Sequence, residues 1–407
     1  MNMLVRVLLL IGCLIPCSGF TENIRIGMSA AFSGPSRGLG IELYRGSRTY
    51  FESVNRSGGV NGNSINLEVL DDGYDPVRAI DNTVKFMQNG NILLLFNYVG
   101  TPTVTRILPL LRKYSDRNHL LFFPFTGAQP HRQPPYDEFV FNLRASYREE
   151  TAGLVEHFAG LRRKRIAVFY QIDAYGRSGW DGVQRALYAR GLRMVAEATY
   201  RRGTSFRQSM KAQVEILRKA NPDAVISVGT YEPCAAFIRD ARDAGWNVPV
   251  ANVSFVGSEN LLSTLLEYGT GRQTDYTRNL INSQVVPSYE EVSLPAVREY
   301  REIMNRFDMQ PPEWLLKEQY KPLPYSFVSF EGFLNAKLLV EILSRIQGLP
   351  ARDGLQQAIE SMESVDLGIG APVSFGPQKH QGLNTIYYTT VENGKFVKLD
   401  DWSRWKQ

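Results

Sequence analysis

Three carboxylates crowd the stretch "LDDGYD", Leu70 to Asp75, a composition that can hold a cation or move a proton. Its place at a strand end just before a helix pattern favours a plainer use, capping and solvation. The four histidines, His119, His131, His157 and His380, are too scattered to form a metal-ligand motif. No Walker loop and no G-x-S-x-G elbow occurs, and "SGPSRGLG" lacks the spacing of a dinucleotide fingerprint. Asp173 with Glu232 is the single acid–base pair that can be named. No catalytic residue, metal or cofactor is assigned, and the odds move toward binding.

What remains is a set of strand ends rich in Gly, Thr and Tyr. In "NYVGTPTVTRILPL" a strand stops at Gly100 and a helix starts in Thr101-Pro102-Thr103. Glycine lets a ligand approach the backbone, and a helix N-terminus offers unpaired N–H groups at its positive end. Thr101 or Thr103 could add a hydroxyl, and Tyr98 lies just upstream; simple capping by threonine explains the same residues. "FPFTGAQP" is a second such end, with Thr126, Gly127 and Ala128 at the turn. "QIDAYG" and "GTYEP" put Tyr175 and Tyr231 at two more. In open α/β sheets, ligands sit beyond the carboxyl ends of strands.

The elements that must carry these ends alternate along the chain. Strands are expected at Ile24–Phe32, Ser64–Asp71, Ile92–Tyr98 and Leu120–Phe125, then in "RIAVFYQID", "VAEATY", "AVISVGTY" and "VPVANVSFVG". Helices fall between them. Asp75 is an N-cap with Pro76 at the first helical position, and Ser146 with Glu149 forms a capping box. Apolar runs with helices between them read as parallel strands buried on both faces. The fold class is α/β, in two doubly wound lobes. Helices at about Leu294–Phe307 and Ser326–Gln347 flank a Pro-rich loop, and "ENGK" is an Asn-Gly hairpin turn.

The chain's 407 residues with 43% apolar content suffice for two lobes, and a net charge of +5 without a basic block points away from nucleic acid. The opening "MNMLVRVLLLIGCLIPCSGFTEN" reads as a signal peptide over residues 1–20, too short to span a bilayer. "LIGC" also matches a lipoprotein box, which would acylate Cys13. With the leader cleaved after residue 20, Cys234 would be the one thiol of the mature chain, a core residue.

"IRIGMSAAFSGPSRGLG", "DDGYDPVRAIDNTVKF", "YQIDAYGRSGWDGVQRAL" and "RDARDAGW" together resemble the periplasmic binding proteins of the Leu/Ile/Val type. These are the receptors of ABC importers for branched-chain amino acids and related molecules. The resemblance implies a type I periplasmic binding protein: two Rossmann-like lobes joined by three crossing strands, closing on a small molecule. It implies one lobe of residues 21–145 with 288–365 and another of 146–287 with 366–407. Its ligand-binding positions fall on Leu39, Tyr98, Gly100, Thr101, Thr103, Thr126, Gly127, Ala128, Tyr175, Tyr231 and Phe255. Amino-acid-binding members carry a carboxylate where this chain has Phe255. A buried ammonium without a partner costs several kcal/mol. An organic anion, such as an aromatic carboxylate, is therefore the expected ligand; a neutral amino acid is the alternative if Glu232, Asp173 or Glu259 supplies the charge. The partner would be a membrane permease, or a signalling protein in a sensory variant, and the receptor itself a periplasmic monomer without catalytic activity.

Overall fold

The computed structural model describes residues 23–406, so the proposed leader with Cys13 lies outside the described residues. In chain order the elements are β1 (Asn23–Ala30), α1 (Arg37–Arg56), β2 (Ser64–Asp71), α2 (Pro76–Gln88), β3 (Ile92–Phe96), α3 (Thr101–Lys113), β4 (Leu121–Phe122) and β5 (Val140–Phe141). Next come α4 (Tyr147–Gly160), β6 (Ile166–Gln171), α5 (Ala174–Tyr188), β7 (Ala196–Tyr200), α6 (Lys211–Lys219), β8 (Ala224–Val228), α7 (Tyr231–Asp243) and β9 (Val250–Asn252). The rest are α8 (Ser258–Gly269), β10 (Leu280–Gln284), α9 (Pro295–Phe307), α10 (Phe327–Ser344), α11 (Arg352–Glu360), β11 (Val365–Asp366), β12 (Pro372–Val373), β13 (Tyr387–Glu392) and β14 (Lys395–Lys398).

The first sheet runs β2-β1-β3-β4-β5, all parallel, and the second runs β14-β13-β10-β9-β8-β6-β7. Strands β3, β6 and β8 are buried along their whole length, because helices cover both faces. The second sheet is parallel only from β7 to β10; β13 and β14 add antiparallel to its far edge. A two-residue turn permits that pairing: Asn393 and Gly394 both have positive φ, the conformation a tight hairpin needs.

Three segments carry the chain between lobes: after β5, after β10, and before β13. Ahead of the third crossing, Phe375 packs on Phe123 and Phe141, and His380 lies over Phe141, so this stretch rests on the first lobe. Helix α10 also joins that lobe, crossing α1 at two glycines. A Cβ on Gly46 would lie 1.8 Å from the Ser329 carbonyl oxygen, and one on Gly332 would lie 2.3 Å from that of Leu43. Only glycine permits backbones this close.

Local signals hold where they were strong. Asp75 accepts from the amides of Val77 and Arg78, and the Ser146–Glu149 capping box is complete. Strand ends were read too long: β3 stops at Phe96 and β4 spans only Leu121–Phe122. Asn97 and Phe123 adopt positive φ, and that ends the regular ladder.

Candidate functional site

Each sheet presents its carboxyl ends to the seam between the lobes. In the first lobe Gly100 has φ +100, and the isolated bridge Val99↔Phe125 ties its strand to the next. The Gly100 amide donates to the Phe125 carbonyl at 3.1 Å, and the Thr126 amide donates to that of Pro124 at 2.8 Å. The amides of Gly100 and Thr126 are therefore not free donors, because neighbouring carbonyls accept them. The side chains behave differently. The Thr101 and Thr126 hydroxyls, both buried, meet at 2.7 Å. The Ala128 amide donates to the Thr126 hydroxyl at 3.3 Å, while the Thr103 hydroxyl donates back to the Gly100 carbonyl at 2.7 Å.

Tyr147, at the first position of α4, completes this corner. Its amide donates to the Gly127 carbonyl at 2.8 Å, and a Cβ on Gly127 would meet its ring. The fully buried phenol turns toward the Thr101 and Thr126 hydroxyls without meeting either at hydrogen-bonding geometry. A buried hydroxyl left this way is uncommon, since nearly all such groups find partners.

From the second lobe, Tyr175 donates its hydroxyl to the Gly229 carbonyl at 3.2 Å and sets its ring 4.6 Å from Phe255 and 5.3 Å from Tyr147. Phe255 also meets Phe125 at 5.2 Å and Tyr74 at 6.1 Å, so rings from both lobes converge on it. Tyr231 accepts from the Gly38 amide at 3.2 Å, and Leu39 faces Gly257, so both join the lobes. Tyr98 is not brought to this group. It belongs to a separate core with Phe86, Ile107 and Leu108, and its hydroxyl meets Thr83 at 3.1 Å. β3 ends at Phe96 and Asn97 takes a positive φ, and past that turn Tyr98 joins the core of Leu95 rather than that of Phe96.

A strap between α9 and α10 closes one side of the seam. Tyr320 donates to Glu42 of α1 at 2.9 Å and accepts from Asn260 of α8 at 3.0 Å. Arg37 pairs with Glu318 on the strap at 3.2 Å and with Glu232 in the second lobe at 3.6 Å.

Sequence reasoning missed Tyr74, Phe125, Tyr147 and Arg144. The signal for Tyr74 was present in "DDGYD", whose acids are spent on building its loop. Asp71 accepts from the amides of Phe32 and Gly73, each at 2.9 Å, and Asp72 from that of Tyr74 at 2.8 Å. The other acids near the seam each accept a backbone amide. Asp173 caps α5 through the Tyr175 amide at 3.0 Å, and Glu232 accepts from the Phe206 amide at 3.0 Å. Glu259 accepts from the Phe327 amide at 3.2 Å.

Burial raises several carboxyls, three of them strongly. It pushes Glu259 up to about 8 and Asp72 to about 7, against the Ser29 hydrogen bond. It also lifts Glu331 to about 7, against the attraction of Arg144. An acid whose folded value is raised holds its proton in the native state and ionises more easily once unfolded. Stability then declines as pH rises from the usual carboxylate range through the raised value. Urea midpoints are expected to fall between about pH 5 and about pH 8.5, and Glu259→Gln, which mimics the protonated acid, should flatten that decline. A variant with the same pH slope as the parent would remove Glu259 from this account.

The periplasmic binding protein family matches the chain over residues 23–395. The sequence is similar to Leu/Ile/Val-binding protein homolog 7 of Brucella suis biovar 1 (strain 1330), with 25% identity across 93% of this chain and 92% of that protein. Among solved structures it resembles a possible leucine/isoleucine/valine-binding protein from Rhodopirellula baltica SH 1, at 33% identity and a TM-score of 0.82, covering 93% of this chain and 96% of that one. It also resembles a substrate-binding periplasmic protein from Ralstonia solanacearum, at 27% identity and a TM-score of 0.81, covering 92% of this chain and 99% of that one. Among the described residues no helix is long and apolar enough to cross a membrane.

Proposed function

The chain belongs to the periplasmic binding protein family, and on that footing we propose that it is the receptor of an ABC importer for a small carboxylate with an apolar body. The family's members are solute receptors rather than enzymes. The observation that carries the ligand class is the corner of Thr101, Thr126 and Tyr147. Three buried hydroxyls gather there, and the Tyr147 phenol lies beside those of Thr101 and Thr126 without completing a hydrogen bond to either. A carboxylate oxygen accepts such bonds, which are stronger for being charge-assisted. The rings of Tyr175, Phe255 and Phe125 suit the apolar remainder.

Within that class a neutral amino acid comes first, on the strength of the relatives' names. Its ammonium would lie against the faces of Tyr175 and Phe255, since ring faces attract cations. A carboxylate without an ammonium is the second reading. It is favoured by Phe255 standing where an acid was sought and by the commitment of Asp173, Glu232 and Glu259 to backbone amides. Calorimetric titration with leucine and valine, against the same skeletons lacking the amino group, separates the two.

Thr101→Ala, Tyr147→Phe and Tyr175→Ala are each expected to weaken binding about tenfold or more, a loss of roughly 1.4 kcal/mol, while the protein still folds. Unchanged affinity in all three variants would move the ligand elsewhere.

A further inference from the structure

Tyr74 is strained, buried, and set across the seam. Its φ is +63, a left-handed backbone that a bulky aromatic residue seldom adopts, and its loop is pinned there by Asp71 and Asp72. The ring lies on Gly100 so closely that a Cβ there would fall 2.1 Å from Tyr74 Cε2. The far end of the side chain reaches the second lobe. Gln171 Nε2 donates to the Tyr74 hydroxyl at 3.4 Å, and the ring stands 6.1 Å from Phe255. Gln171 is itself oriented by the Tyr200 hydroxyl at 3.2 Å. On the outer side, Arg202, partly exposed, lies 5.8 Å over the ring. The buried ring thus touches the partly exposed Arg202 and the buried turn at Gly100.

Resting on the receptor reading above, we propose that Tyr74 sets the upper size of the ligand, its ring acting as a door across the Gly100 end of the seam. A ligand anchored at Thr101, Thr126 and Tyr147 extends its body until it meets this ring. A longer body must push the ring outward, away from Gln171 and against Arg202. The left-handed backbone supports this role, because strain of this kind persists where the surroundings hold a side chain to a task.

Tyr74→Gly is the informative variant, since glycine takes the positive φ without strain and the loop is expected to keep its shape. Straight-chain carboxylates and neutral amino acids of increasing length are titrated into parent and variant. The affinity ratio of long to short ligands should rise about tenfold or more in the variant; an unchanged ratio overturns the proposal even if all affinities fall. Should the parent bind none of the series, the ligand class of the previous section fails, and p-cresol then decides the role of Tyr74. An enclosed apolar space opened by truncation takes up a small aromatic molecule. If p-cresol raises the melting temperature of Tyr74→Gly and not that of the parent, the ring fills the seam as proposed; no rise in the variant overturns it.

Discussion

Arg144→Met is expected to destabilise the protein by about 3–5 kcal/mol, the usual result of removing one partner from a buried ionic cluster. Arg144 is 1% exposed and stands on the first crossing between the lobes. It lies 3.5 Å from Glu331 on α10 of the first lobe and 3.6 Å from Glu150 on α4 of the second. It also donates to the Ser254 hydroxyl beside Phe255, and its guanidinium sits 4.6 Å over the ring of Phe125. Without this cation two buried carboxylates face each other in a medium that screens them poorly. Glu331 relieves part of the conflict by taking a proton, so the loss should be greater at about pH 8.5 than at about pH 6. Glu331→Gln, which keeps shape and removes the titration, should be milder. Urea unfolding at both pH values measures these effects. A loss below about 1 kcal/mol in Arg144→Met, with no pH dependence, would show that the cluster does not hold the crossing together.

Gly100→Ala is expected to weaken both binding and stability. The backbone here has φ +100 and ψ 145, a region open essentially to glycine alone, where another residue pays roughly 1–3 kcal/mol. The new Cβ would also enter the Tyr74 ring and drive it from its place. Unfolding free energy is expected to drop by about 2 kcal/mol, with affinity for the tightest-binding ligand of the titrations reduced about tenfold or more. Gly90→Ala is the control, since its Cβ meets nothing within 4 Å and its φ is not positive. Equal affinities in the two variants would mean that the Gly100 turn takes no part in holding the ligand.

Much of this architecture was legible in advance because the controlling forces are local. The run "ILLLF" could only be a strand covered on both faces, and it is buried throughout. Asp75 before Pro76, Ser146 with Glu149, and Asn393-Gly394 each act through atoms a few residues away, so their outcome travels with the sequence. Strand tips of Gly, Thr and Tyr were also recognisable as a place where backbone and hydroxyl groups gather. The family resemblance extended that local reading to two lobes.

The site's wiring depends on pairs distant in sequence, and no local rule reaches them. Whether the Gly100 amide is free turns on Phe125, which accepts it from the next strand. Tyr98 and Thr101 stand three residues apart, yet one serves the core under α2 and the other the seam, because the chain turns at Asn97 and again at Gly100, both at positive φ. Tyr147 follows the Ser146 cap, and nothing in the sequence singled out Arg144. Tertiary packing alone brought them beside Thr126 and Phe125. By itself, then, the sequence determined the elements, their alternation and the family; the three-dimensional packing decided which tip groups are already satisfied and which are left to meet a ligand. Hydrogen-bond capacity belongs to each residue, but its satisfaction is a property of neighbours that only the folded chain supplies.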